Sequence, residues 1–375
     1  MKKEISAFDL FFIVKEMQCL KGAKLEKVYH SKTFKNEILF RFYSKDHGKL
    51  FLRADILNNI YFTQYKDEYD SVSGFGMFLR KHLTNTQIKS IKQHEFDRVI
   101  DIEFEIRKKG VTSKNNLIIE LFGGGNIVLI NEDNKILGLL YSQKWKDRTI
   151  HPGKTYVFPK ANFNPLSSEK NDFVKKIKAS EKESIVKALA SETALGGEYA
   201  EEVCARAELD KNLKINNLSD ENIELLFAII QNMKQEETKG FVYSKTITPF
   251  EFKTAKDLKK EYATFCEALD NVLTERRQLS KISNLEKKVE AKLSKIENVL
   301  KKQEKMYSQI KEDSDSYQKR AEKIYENYTF FDDLLKELKE LKESKSWEEI
   351  KELFKKKHPS VIINEKNNEI VVDIK

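Results

Sequence analysis

Short runs of alternating apolar and polar residues dominate the first 150 positions. LEKVYH, EILFRFYS, KLFLRADI and NIYFTQY come first, and IKSIKQ, FDRVIDIEFEI, NNLIIELF, NIVLINED and KILGLLYS follow. Each is rich in β-branched or aromatic side chains and bounded by turn residues, which predicts strands. The period of two is clearest over residues 99–106, where Ile100, Ile102, Phe104 and Ile106 share one face and Asp101, Glu103 and Glu105 the other. Helical spacing appears twice. Ser6 is a good N-cap, Asp9 follows at capping-box distance, and Phe8, Phe11, Phe12, Val14 and Leu20 form a broad apolar face before a stop at Gly22. FGMFLRKHL, residues 75–83, predicts a second, shorter helix. Many strands with short turns and few crossover helices predict an α+β protein whose domain 1–160 is an antiparallel β-sandwich or a barrel-like domain.

Beyond it the period changes. Residues 168–240 read as a helical domain in which ALASETALGGEYAEEVCARAEL spells helix, Leu-Gly-Gly turn, helix. This is similar to a helix-hairpin-helix unit, whose turn amides at Gly196 and Gly197 can hold a phosphate; any αα-hairpin would read the same way. Segment 250–358 is read as a coiled-coil arm. Residues 271–328 hold no proline or glycine, and Ile282, Leu285, Val289, Leu293, Ile296, Leu300, Tyr307, Ile310, Tyr317 and Ile324 recur mostly at steps of three and four. As one helix this stretch would extend roughly 85–90 Å. Residues 359–375 predict a β-hairpin turning at Glu365-Lys366-Asn367-Asn368.

Composition narrows the function classes. With 40% hydrophobic residues, 24 Phe and 14 Tyr, the chain can build a core and is not disordered. No apolar run is long enough to span a membrane. Asp9, Lys15 and Glu16 interrupt the N-terminus, which does not read as a signal peptide. Cys19, Cys204 and Cys266 are too scattered for a disulfide framework or a zinc site, and a reducing cytoplasm fits them. The net charge of +8 is uneven. Residues 1–160 carry 28 Lys+Arg against 19 Asp+Glu, while residues 161–270 carry 16 against 20. A polyanionic partner is the natural reading of the first segment, with Arg80, Lys81, Lys89, Lys92, Lys144, Lys146 and Arg148 as candidate phosphate contacts; a basic soluble domain needs no such partner.

Catalytic signatures are sparse. Phe122-Gly123-Gly124-Gly125-Asn126 lacks the Gly-Lys-Ser/Thr of a phosphate loop and reads as a hairpin turn. The six His show neither HxxxH nor HExxH spacing, and there is no GxSxG. Nothing demands an enzyme, a metal or another cofactor. Asp97 and Arg98 stand out instead. In strand register Arg98 would share the apolar face of Ile100 and Ile102, so it must lie at the sheet rim or be re-aimed by a bulge. A rim salt bridge would account for the pair equally well.

The order FDLFFIVKEM, FLRKHL, QHEFDRVIDIEF, DRTIHPGKTYVFP, LGGEYAEEVCARA, FCEALDNVL and then a long heptad-like helix resembles the NFACT family, the RqcH-like and NEMF-like ribosome quality control factors. The resemblance spans nearly the whole chain. It implies a non-catalytic factor that binds the large ribosomal subunit and its rRNA, together with peptidyl-tRNA. Such a factor recruits charged tRNA, commonly alanyl-tRNA, for template-free C-terminal tailing of stalled chains. It implies an N-terminal fold similar to that of formamidopyrimidine-DNA glycosylases, without their chemistry, because Lys2 follows Met1 and no paired cysteines occur. It also implies tRNA-selecting roles for Asp9, Asp97 and Arg98. Family members add a returning coiled-coil strand and an RNA-binding domain, which a second polypeptide would supply to a split form. A general DNA- or RNA-binding module is the alternative reading, and a surface adhesin, after an old fibronectin-binding label of the family, is a third that the N-terminus does not favour.

Overall fold

The computed structural model describes all residues except 1–3, 32–34, 67–71, 109, 365–366, 368 and 374–375. The turn expected at 365–368 therefore lies largely outside the described residues. The chain divides into two compact units, Met1–Leu279 and Ser280–Lys375.

The first unit opens with α1 (Ala7–Met17), capped reciprocally by Ser6 and Asp9 as the spacing predicts. Four strands follow: β1 (Lys24–Tyr29), β2 (Glu37–Ser44), β3 (Gly48–Asp55) and β4 (Asn59–Phe62). After α2 (Gly74–Leu83) come β5 (Gln87–Gln93), β6 (Val99–Lys108), β7 (Val111–Glu120), β8 (Asn126–Asn131) and β9 (Ile136–Leu139). These nine strands form one antiparallel sheet in the order β4-β3-β2-β1-β5-β6-β7-β8-β9. The α+β class and the antiparallel pairing are as expected, but the strands form one sheet in place of a sandwich of two. The halves stay joined where β1 meets β5 at Lys24 and Gln87, and β-bulges beside that joint increase local twist. The sheet then closes over on itself. The β7–β8 turn meets the β3–β4 turn, where a Cβ on Gly125 (φ +70°) would lie 2.3 Å from the Ile56 carbonyl oxygen. Only glycine satisfies both the left-handed backbone and that approach.

Both halves feed one core. Phe40, Phe42 and Leu52 from one half, and Ile100, Ile102, Phe104 and Leu129 from the other, pack in the same cluster as Phe8, Leu10, Phe12 and Ile13 of α1. A smaller cluster on the other side of β7 and β8 joins Ile118, Val128, Ile150 and Tyr156. It is sealed by the short pair β10 (Gln143–Lys144) and β11 (Thr149–Ile150). Four helices follow: α3 (Lys170–Lys178), α4 (Ile185–Glu192), α5 (Gly197–Arg206) and α6 (Asp220–Gln235). A small sheet of β12 (Gly240–Tyr243), β13 (Ile247–Thr248) and β14 (Leu258–Tyr262) comes next. Residues 250–262 thus belong to this sheet and its loops, and the expected arm starts later, with α7 (Phe265–Glu326). Glu16 on α1 caps α7 by accepting from the backbone N–H groups of Phe265 (2.7 Å) and Cys266 (3.0 Å). Burial raises the Glu16 carboxyl above its ordinary range. Asp270 accepts from the N–H of Gln64 at 2.9 Å, and Glu37 pairs with both Arg53 and Arg277.

In the second unit, α8 (Tyr328–Ser344), α9 (Trp347–Lys357), β15 (Val361–Asn364) and β16 (Glu369–Val372) enclose a core of Leu334, Ile350, Phe354 and Val361. The arm expected to run to residue 358 is therefore one long helix followed by a small folded module. Ile282, Val289, Leu293, Ile296, Leu300, Tyr307, Ile310, Tyr317 and Ile324 remain 47% to 70% exposed. Covering each fully would gain about 1.5–3 kcal/mol, so this face is expected to associate. Amide hydrogen exchange over residues 282–324 should be fast in dilute solution and slow as concentration rises, and Leu293→Asp with Ile296→Asp should abolish that dependence. A strictly monomeric chain whose amides there are as protected as those of α1 would contradict this.

Candidate nucleic-acid interface

Three segments far apart in sequence meet at one cleft of about 540 Å³. Its walls are the start of α1 (Glu4 to Ala7), the β5–β6 turn with Phe96, Asp97 and Arg98, and the α4–α5 turn from Ala194 to Tyr199. The β5–β6 turn is closed by the His94 N–H donating to the Val99 carbonyl at 2.9 Å, and Glu95 takes a left-handed φ of +49°. Asp97 and Arg98 therefore sit in the turn, and β6 begins at Val99, which resolves the parity conflict: Arg98 lies at the sheet rim. The Gln93 side-chain amide donates to the carbonyls of Ala7 (2.8 Å) and Asp97 (2.9 Å), so it ties the turn to α1. Asp97 accepts from the Arg98 N–H at 2.7 Å, and the Arg98 guanidinium donates to Glu4 at 2.8 Å. Both partners of that ion pair reach solvent, and such exposed pairs are worth about 0–1 kcal/mol. A stronger anion can displace Glu4.

Asp9 is the acidic half of the capping box, as its spacing predicts. It has 0% exposure and lies one layer beneath the cleft. One carboxylate oxygen accepts from the Ser6 backbone N–H (2.6 Å) and hydroxyl (2.8 Å), and the other accepts from the Tyr199 hydroxyl at 2.8 Å. Tyr199 is itself fully buried, 4.8 Å from the Phe8 ring centroid, and burial together with the Asp9 charge pushes its phenol well above the usual range. The third wall holds Gly196 at φ +79° as the N-cap of α5, and no side chain caps that helix. The positive end of the α5 dipole therefore opens on the cleft beside Arg98.

The other candidate residues lie elsewhere. Arg80 donates from Nε to the Val28 carbonyl at 2.8 Å and sits over the Tyr29 ring, while Lys81 is exposed. Lys89 pairs with Glu105 at 2.8 Å; Lys92, Lys144 and Lys146 are exposed. Arg148 corrects the expectation of a phosphate contact. It is 8% exposed, and its guanidinium is committed to Glu120 (2.6 and 3.2 Å), which also accepts from Tyr156 at 2.7 Å. Sequence reasoning missed Tyr199, Gln93 and Glu4; the only signal was the Tyr199 position within LGGEYAEEVCARA.

Chemically, the cleft offers a guanidinium, the carboxylates of Glu4, Asp97 and Glu198, and a helix N-terminus: groups that recognise a phosphate and hydrogen-bond donors. Burial raises the thiols of Cys19, Cys204 (to about 11) and Cys266, which keeps them protonated and poorly nucleophilic at neutral pH. Among the described residues no group of His, Cys, Asp and Glu is placed to hold a metal ion, and no helix is long and apolar enough to cross a membrane.

The Tyr199–Asp9 bond yields a measurable expectation. Tyr199→Phe should cost about 1.5–3 kcal/mol in denaturant unfolding, the range for a hydrogen bond to a charged group. Because the folded-state pKa of Tyr199 is raised, its contribution is intact below the unfolded value of about 10 and is lost as pH rises above it. The difference between wild type and Tyr199→Phe should shrink above about pH 10. A constant difference from pH 7 to 11 would refute the assignment.

Comparison with known proteins places the chain. Residues 6–371 match the profile of the NFACT N-terminal and middle domains. An archaeal Rqc2 homolog, aRqcH of Methanocaldococcus jannaschii, is 31% identical over 100% of this chain and 59% of its own length. The human ribosome quality control complex subunit NEMF is 32% identical over 37% of this chain and 12% of its own length. The chain thus spans well under two thirds of these relatives. Among solved structures, the N-terminal part of the fibronectin/fibrinogen-binding protein of Streptococcus suis aligns with a TM-score of 0.61 at 21% identity, covering 72% of this chain and 100% of that one, which shows a shared fold. With a profile that runs almost from end to end and a full-length match at 31% identity, this chain belongs to the NFACT family.

Proposed function

We propose that this chain is a non-catalytic tRNA- and large-ribosomal-subunit-binding factor of ribosome-associated quality control, which recruits charged tRNA, alanyl-tRNA foremost, for template-free tailing of stalled nascent chains. Membership of the family and relatives named as ribosome quality control subunits support the pathway. The observation that carries the tRNA reading is the cleft itself: the three segments singled out in the sequence, at Asp9, at Asp97-Arg98 and at Gly196-Gly197, come together around it. Arg98 offers a planar fork to a phosphate or a base edge, with Glu4 as an easily displaced stand-in; Asp97 offers an acceptor to base amino groups. Asp9 acts from beneath, by fixing Ser6 and Tyr199 in the walls. Arg80, Lys81, Lys92, Lys144 and Lys146 supply sequence-independent attraction along the backbone. The second unit, with its exposed apolar helix, is the part that meets the ribosome.

The test combines affinity, selectivity and domain deletion. For about five phosphate contacts, the log–log slope of tRNA affinity against salt should be roughly −3.5 to −4.5; a flat response removes the electrostatic argument. Asp97→Ala with Arg98→Ala should leave the melting temperature close to wild type while discrimination among tRNAs collapses. If the double variant unfolds with its residual tRNA preference unchanged, the pair is structural. Truncation after Leu279 should abolish binding to large subunits and spare free tRNA. Cross-links to genomic DNA or mRNA, in place of tRNA and large-subunit rRNA, would favour a general nucleic-acid module.

A further inference from the structure

A second cleft, of about 440 Å³, adjoins the first across the β5–β6 turn, and Phe96 lines both. Its floor is apolar: Phe11, Phe96 and Leu166. Phe11 differs from its neighbours Phe8 and Phe12, which are fully buried. It packs against them on one side, with ring centroids 6.0 and 5.2 Å away, yet stays half-buried, and its remaining surface lines the cleft. Around the floor stand three lysines, Lys15, Lys92 and Lys234. Their partners matter. The Lys234 ammonium donates to the Leu166 carbonyl at 2.8 Å and the Lys15 ammonium to the Glu236 carbonyl at 3.3 Å. Both acceptors are neutral carbonyl oxygens, so those bonds bring no opposite charge; Lys15 also lies 5.9 Å from the Phe12 ring centroid. Glu95 is the one carboxylate among the described residues that line the cleft. An aromatic surface at the bottom of a cationic cleft is what an unstacked nucleotide needs, a face for the base and ammonium groups for the phosphates on either side. The volume falls within the roughly 300–1,000 Å³ of ordinary ligand sites.

We infer that this second cleft holds one unpaired nucleobase of the bound tRNA, stacked on Phe11, with its flanking phosphates on Lys92 and Lys234. The inference rests on the tRNA-binding reading. A strand crossing the β5–β6 turn places a phosphate beside Arg98 in the first cleft and a neighbouring base in the second. The turn is stiff enough to serve as the divider, since Gln93 ties it to α1.

The experiment uses the full chain and tRNA assembled from two annealed halves, with single abasic sites placed in turn at its unpaired positions, and reads the dissociation constant by fluorescence anisotropy. At one position the abasic site should weaken wild-type binding about ten-fold. Phe11→Leu, which keeps the apolar packing and removes the ring, should weaken intact tRNA by a similar factor and erase the abasic penalty at that position. Lys92→Gln, on the exposed rim and outside the core, should flatten the salt slope by about 0.7, a readout that does not depend on the core tolerating Phe11→Leu. Three results would overturn the inference while leaving tRNA binding in place: no unpaired position that carries a penalty, a penalty that Phe11→Leu leaves unchanged, or a salt slope that Lys92→Gln leaves unchanged. A wild-type chain that does not bind tRNA at all overturns the underlying reading as well.

Discussion

The constraint on which the rest of the first unit depends is the burial of α1. Ala7, Phe8, Asp9, Leu10, Phe12, Ile13, Val14 and Met17 are all buried, which leaves this helix almost no solvent face. A helix apolar nearly all round must be covered on every side. The sheet covers one side through strands such as β5 and β6. Tyr199, Phe250 and Phe252 belong to the aromatic cluster that covers the other. Asp9 in the middle of that surface would carry a severe desolvation cost if its carboxylate were left unpaired. Ser6 and Tyr199 satisfy it, and the hydroxyl of Tyr199 thereby links α5 to α1 across 190 residues of sequence. The first cleft is the gap left at the edge of this arrangement, where α1 begins, the β5–β6 turn ends and α5 starts.

The same device recurs. Buried and half-buried carboxylates tie segments remote in sequence because each can accept several donors at once, and the drier the site the stronger those bonds. Glu16 caps the start of α7. Glu37 bridges β3 and α7 through Arg53 and Arg277. Glu120 gathers Arg148 and Tyr156 over the smaller core. Glu202, fully buried on α5, accepts from Arg206, Lys253 and Thr254. Cutting the buried Glu120–Arg148 ion pair would cost about 3–5 kcal/mol, so these residues belong to the architecture, whatever their charge suggests to an electrostatic reading.

The second unit follows another logic. Its small core of Leu334, Ile350, Phe354 and Val361 is closed, but between Ile282 and Ile324 helix α7 carries exposed apolar residues with no cover among the described residues. Propensity alone stabilises a solitary helix weakly. The first unit completes its own burial and leaves a polar cleft, whereas this helix leaves its apolar face exposed.

Read alone, the sequence determined the strands of the large sheet, both early helices, the capping box and the change of period that separates sheet from helix, because these rest on neighbours a few residues apart; it did not foresee the small sheet of β12, β13 and β14. It also singled out Asp97-Arg98 and Gly196-Gly197, through a parity conflict and a glycine pair. What it could not decide was set by contacts between distant segments. A sandwich and a single sheet closed on itself have the same alternation; only the β1–β5 joint and the Gly125–Ile56 approach distinguish them. Charge counting ranked Arg148 beside Lys144 and Lys146, yet Glu120 lies 28 positions upstream and takes that guanidinium into the interior. Asp9 read as both a cap and a ligand, and its depth depended on Tyr199. Local pattern reports which face of an element is apolar; which partner covers that face, and whether a charge beside it is paired or left for a ligand, is decided by tertiary structure, since desolvation and hydrogen bonding depend on the atoms that arrive from elsewhere in the chain.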